Sequence, residues 1–260
     1  MDAHRQARDG ARASSVLEPA AGDASERLGR HFGARPPALV FSLAVLAGYV
    51  LLAAAAIGLG FLLVDVLLPI HAIGHADDYV PGRLAANRSS ALDDASYIGS
   101  SIGDIPFIPA LVIIVAVAAA IMRRWRVFGF VVGAILVEVA TYRLASLIVH
   151  RDRPAVPRLD TLPVDQSYPS GHVAASIVVY VGLALLISPL VRDGRLKALL
   201  WAIAIALPLV VAASRVYRGM HHPIDAGAGV LIGLGAVAIA LFATRAAVEA
   251  SRVRSAGHPR

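Results

Sequence analysis

Residues 38–64 of this chain contain no charged side chain, and an apolar run of that length decides what the chain can fold into. A helix that crosses a hydrocarbon layer of roughly 30 Å needs about 20 residues. Five further apolar runs follow, at 105–122, 127–149, 171–191, 198–214 and 226–244. Each is long enough to cross, the 198–214 run by borrowing from its flanks. Backbone groups in lipid have no water to bond, so a crossing segment must satisfy them internally and is helical. The expected fold is therefore all-α, an integral membrane bundle of six transmembrane helices. Composition agrees: 57% of the 260 residues are hydrophobic and 16% are charged, against about 25% charged in soluble domains.

The positive charges suggest an orientation. With both termini cytoplasmic, sixteen Arg and Lys side chains fall inside and seven fall in the outer loops, as the positive-inside rule favours. The same distribution argues against reading the net charge of +6 as a nucleic-acid footprint. The expected organisation is a disordered cytoplasmic tail over 1–36, a membrane domain over 37–245 with its core at 105–245, and a cytoplasmic tail over 246–260. The connection at 65–104 is long and polar, with part of it expected as a short interfacial helix. No cysteine is present, which excludes a disulfide framework, a thiolate metal site and a cysteine nucleophile.

Two outer loops, 150–170 and 215–225, are separated by two crossings and so emerge on the same side. Three clusters lie in or beside them: Arg151-Asp152-Arg153-Pro154, Pro169-Ser170-Gly171-His172, and Ser214-Arg215 through His221-His222-Pro223-Ile224-Asp225. Ser170 stands where loop becomes helix, as an N-cap would. The free N–H groups of a first helical turn bind anions, and Gly171 lets a ligand approach the backbone. His172 beside that turn can donate a proton to a leaving oxygen. A plain capped helix with an interfacial histidine has the same sequence. His221 and Asp225 are four apart, a spacing that places both on one helix face. A carboxylate there can hold one imidazole nitrogen and leave the other free to attack. His222, its neighbour, points elsewhere and reads as structural. Arg215 matches phosphate oxygens as a bidentate fork, or it snorkels with Arg218 as an ordinary interfacial arginine; Arg153, held extended before Pro154, is a second such candidate or a plain basic loop residue. No metal-ligand spacing of the usual kind is present, and the set suits metal-free phosphoryl transfer, which needs charge clamps, a nucleophile and an acid.

At these residues the sequence resembles the phosphatidic acid phosphatase type 2 superfamily, which also includes vanadium-dependent haloperoxidases. The family pattern is Lys, six residues, Arg-Pro; then Pro-Ser-Gly-His; then Ser-Arg, five residues, His, three residues, Asp. The second part is complete at Pro169 to His172, and the third at Ser214, Arg215, His221 and Asp225. The first keeps Arg153-Pro154 but has Ser146 at the lysine position. The resemblance covers roughly residues 105–245. It implies that His221 attacks phosphorus to form phosphohistidine, that Asp225 orients and charges it, and that His172 protonates the leaving group. Arg153, Arg215, Ser170 and the Gly171 backbone would hold the phosphate oxygens, with no metal or other cofactor.

Ionisable groups inside a crossing are costly and mark function by default. Arg143, three residues before Ser146, either replaces the missing lysine charge or pairs with Glu138 or another buried acid. The implied activity is hydrolysis of a lipid phosphate or polyprenyl diphosphate at the extracytoplasmic face of what composition suggests is a bacterial plasma membrane. A polyprenyl carrier lipid is favoured over phosphatidic acid and phosphatidylglycerol phosphate, on that composition alone. A phosphotransferase and a non-catalytic lipid-binding relative are the alternatives.

Overall fold

The structure is a computed structural model, and it describes residues 16–104, 106–161 and 166–256. In chain order its helices are α1 (Ala24–His31), α2 (Pro37–Phe61), α3 (His71–Ala86), α4 (Ser90–Ser101) and α5 (Phe107–Ile121), then α6 (Trp125–Ile148), α7 (Gly171–Ile187), α8 (Gly194–Tyr217) and α9 (Pro223–Ala256). A π-helical turn, Leu62–Leu67, extends α2. Among the described residues five helices are long and apolar enough to cross a membrane: α2 with its extension, α6, α7, α8 and α9. The run at 105–122 is helical over only 15 residues as α5. At 1.5 Å per residue it spans about 22 Å, less than a full hydrocarbon layer.

Helix α9 is the central element, packed against α1, α2, α6 and α7. Its buried stripe consists largely of Ala and Gly, including Ala226, Gly229, Gly233, Ala236 and Ala240. Small residues let helix backbones approach closely in lipid, where no hydrophobic force drives helices together. The approach is close against α7. A Cβ on Gly229 would sit 2.5 Å from the Ser170 carbonyl oxygen, and one on Gly233 would sit 2.6 Å from that of Ala174. This contact brings the start of α7 beside the start of α9. The ends of α6 and α8 lie at the same end of the bundle by connectivity.

Three boundaries differ from the sequence reading. Residues 24–31, expected within a disordered tail, form α1. Asp23 caps it by accepting from the Glu26 N–H at 2.7 Å, and Arg30 pairs with Glu249 at 3.2 Å. Residues 1–15 of that tail lie outside the described residues. The expected tail at 246–260 is a continuation of α9 to Ala256, with Val248, Glu249 and Ala250 buried, because α1 packs against it. Residues 257–260 lie outside the described residues. The connection at 65–104 holds two helices, α3 and α4. Helix α4 is tied to the end of α8, where Tyr217 donates to Asp93 at 2.7 Å and Arg218 to Ser96 at 3.1 Å.

Candidate active site

The α6–α7 loop carries Arg151 and Arg153 and is closed at its base. Ser167 N–H donates to the Arg151 carbonyl at 2.8 Å, and Arg151 N–H donates to Gln166 at 3.0 Å. Tyr168, fully buried, pins the loop to α2 by donating to the Ala56 carbonyl at 2.7 Å. Burial, with the Asp225 charge added, pushes its phenol up to about 12, so it stays a donor. After α8 the chain turns sharply at Gly219, which has φ +72°. Met220 N–H there bonds the Arg215 carbonyl at 3.0 Å, a left-handed helix stop that glycine makes without strain. The turn delivers His221 to the start of α7.

His172, His221, Arg153, Arg143, Gly171 and Asp104 all line one cavity of about 580 Å³. His221 is 3% exposed. Its Nδ1 lies 2.7 Å from the Ser167 carbonyl. A carbonyl only accepts, so Nδ1 carries the proton and Nε2 holds the free lone pair. Burial first, then the charges of Arg215 and Arg153, push His221 well below the ordinary imidazole value, although Asp225 opposes them. These effects favour the neutral form of the ring.

Asp225 does not hold His221, as the four-residue spacing suggested. Helix α9 begins at Pro223, so His221 precedes the helix and shares no face with Asp225. His222 holds the N-cap position instead, with its carbonyl accepting from Ala226 N–H at 3.3 Å. Asp225, three residues on, reaches back to the His222 N–H at 2.9 Å, as in a capping box. It also accepts from Ser167 Oγ at 2.5 Å, approaches His222 Nδ1 at 3.2 Å and pairs with Arg151. Asp225 therefore acts on His221 through Ser167 and through its charge. His222 is not idle: its Nε2 lies 3.1 Å from Asp78.

Ser170 occupies the N-cap position of α7, but its side chain makes no capping bond. Its hydroxyl is buried without a partner among the described residues, as are Nε and Nη2 of Arg215. Buried polar groups are almost always bonded, and these three atoms are donors that can serve an anion's oxygens. Gly171 packs its Cα against Tyr142, whose ring would lie 3.0 Å from an added Cβ. Arg215 is 1% exposed, and its charge reaches both histidine rings. Its Nη1 binds Asp160 at 2.9 Å and Ser100 at 3.0 Å. Asp160 also takes two bonds from Arg218, at 2.8 and 2.6 Å. Burial pushes the Asp160 carboxyl up, but Arg218 and Arg215 outweigh it and hold Asp160 below the usual carboxylate range. Asp104 lies 3.0 Å from His172 Nε2.

Arg143 lines the cavity wall and makes no ion pair with Glu138 among the described residues. Ser146 is buried, with its hydroxyl returned to the Arg143 carbonyl at 3.0 Å. Arg151 was part of a motif with no role assigned. It bridges Asp77 on α3 and Asp225 on α9, while Asp77 also accepts from Ile224 N–H at 3.1 Å. Nothing local in the sequence marks Ser167, Asp77 or Asp160 as partners of the site. Only their proximity in the fold does.

Fold and site together define an all-helical integral membrane protein with a two-histidine, arginine-lined centre at one end of the bundle. Residues 126–249, just under half of the chain, match the family model of the PAP2 superfamily. It is 36% identical over 109 residues to "Undecaprenyl-diphosphatase" of Sulfolobus acidocaldarius, covering 41% of this chain. The match spans about half, 48%, of that relative's length. The fold is similar to the crystal structure of a transmembrane PAP2 type phosphatidylglycerolphosphate phosphatase from Bacillus subtilis. The TM-score is 0.60 at 21% identity, over 79% of this chain and 94% of that one.

Proposed function

We propose that this chain is a lipid phosphatase that hydrolyses a lipid phosphate or polyprenyl diphosphate through a phosphohistidine on His221. The observation that carries the reading is the convergence of His172, His221 and Arg153 on one cavity, beside unpartnered Ser170 and Arg215 atoms. Arg153, Arg215, the Ser170 hydroxyl and the Gly171 backbone take the non-bridging oxygens. Donors already aimed at that charge stabilise the transition state without reorganising. Nε2 of His221 attacks phosphorus in line, the bond to the leaving oxygen breaks, and His172 supplies that oxygen's proton. His172 then takes a proton from water as it attacks the phosphohistidine, which releases phosphate and frees His221. Arg143 stands in for the family lysine at the cavity wall. The charge distribution supports an extracytoplasmic site, with both chain ends on the cytoplasmic side.

The test is phosphate release by detergent-purified protein given phospholipid phosphates and prenyl diphosphates, with a chelator present. Free phosphate supports hydrolysis. Product formed only with an added alcohol or sugar acceptor means transfer, and no turnover on any substrate rejects the reading.

The lowered proton affinity of His221 has a readable sign. Attack requires the neutral ring, which is lost as pH falls through the lowered value. The acidic limb of kcat/KM is expected below about 6.5, the ordinary imidazole value; a limb at or above it would contradict the burial argument. Arg143→Ala is expected to lower kcat/KM about ten- to a hundredfold, the weight of one charged hydrogen bond, and to weaken inhibition by vanadate. Unchanged values in a monodisperse variant would remove Arg143 from the site.

A further inference from the structure

We propose that Glu138 binds a glycerol-ester carbonyl of the substrate, so that the cavity selects diacylglycerol phosphates over polyprenyl phosphates. The proposal rests on the lipid-phosphatase reading and narrows its substrate class. Glu138 lies in the middle of α6, is 1% exposed, and lines the same cavity as His172 and His221. Its carboxyl makes no hydrogen bond or ion pair among the described residues, and Oε2 is fully enclosed. Besides its polar residues, the cavity is lined by Ile108, Val112, Ile113, Ile135 and Val139. An unpaired buried polar group is costly, and none of the described residues bonds to it.

Depth identifies the missing partner. Tyr142 packs against Gly171 at the phosphate level. Glu138 is four residues deeper on the same helix, a rise of about 6 Å. In a diacylglycerol phosphate the ester groups begin four or five bonds from phosphorus, roughly 6 Å at about 1.5 Å per bond. In a polyprenyl phosphate that depth holds only hydrocarbon, which leaves the carboxyl unsatisfied. As a carboxylic acid, the form in which an unpaired carboxyl survives among apolar side chains, Glu138 donates its O–H to the ester carbonyl. This reverses the preference for a polyprenyl carrier drawn from composition.

The experiment compares diacyl phosphatidic acid, its dialkyl-ether analogue of equal chain length, and a polyprenyl phosphate, in mixed micelles with the full chain. Wild type is expected to favour the diacyl lipid over the ether by about tenfold in kcat/KM, the factor a single hydrogen bond carries. In Glu138→Leu the ratio is expected to collapse toward one. Glu138→Gln, which keeps an N–H donor and nearly the same shape, is expected to retain most of it. A wild type indifferent to ester against ether overturns the proposal even if Glu138→Leu does not fold. So does a ratio unchanged in Glu138→Leu, or a wild type that prefers the polyprenyl phosphate. The same competition is read as binding, by native mass spectrometry of His221→Ala protein. An ester preference there that is lost in the Glu138→Leu background upholds the site even if no substrate is turned over. That outcome would reject the phosphatase reading alone.

Discussion

Replacing His221 with alanine is expected to lower phosphate release by on the order of 10⁴-fold or more, the scale seen when a nucleophile is removed from a covalent catalyst. The cavity would keep Arg153, Arg215 and the Ser170 hydroxyl, so substrate binding is expected to fall far less than turnover. A bound phosphate could still be polarised, but water would have to attack without a covalent intermediate. Among the described residues the ring is held through Nδ1 by the Ser167 carbonyl alone, so its loss leaves one carbonyl to be satisfied and no buried charge. The variant should therefore fold, and elution as a monodisperse species checks this. Labelled substrate quenched in alkaline detergent should leave phosphate on wild type and none on His221→Ala. Label retained in the variant would place the nucleophile elsewhere, with His172 the first residue to examine.

Arg151→Met is expected to destabilise the protein by about 3–5 kcal/mol, because it leaves two buried carboxylates without their cation. Asp77 is 4% exposed and Asp225 is 0% exposed, and Arg151 bridges them. That loss compares with a typical total stability of about 5–15 kcal/mol. It should appear as a large drop in the thermal unfolding midpoint in detergent. Adding Asp77→Asn to Arg151→Met should recover part of the drop, since one of the stranded charges is then gone. An unchanged midpoint in Arg151→Met would mean that the two carboxylates find other donors. Activity is expected to fall with stability, because Asp225 and Ser167 together set the position of the His221 ring.

Much of the fold was legible because lipid makes helix formation a local matter. The apolar runs at 127–149, 171–191, 198–214 and 226–244 each fall on one helix, α6, α7, α8 and α9 in turn, but only α6 keeps both bounds within the fraying expected at helix ends. Where boundaries moved, the reason was a polar signal hidden by composition. Asp23 and Glu26 bracket Ala24-Ser25 as a capping signature, yet the surrounding Arg- and Ala-rich segment read as a tail. Helix α9 ran past Arg245 because α1 covers it, a contact with no trace in the local sequence. In the site, Arg153, Gly171, His172 and His221 were marked by spacing and do line one cavity. Asp225 was marked too, but spacing assigned it the wrong imidazole. The four-residue rule holds only inside a helix, and α9 starts two residues after His221.

The order of residues alone was enough to require membrane-crossing helices and to bring two histidines and two arginines to one end of them. Both follow from distances along the chain: the thickness of hydrocarbon a helix must cross, and the alternation of loops it forces. Which carboxylate meets which cation was decided only when helices distant in sequence packed together. Arg151 joins Asp77 to Asp225, Asp160 takes Arg215 with Arg218, and Glu138 is left facing a cavity. A buried polar atom takes whatever partner lies within about 3 Å, and in this protein that partner is often more than fifty residues away in the chain.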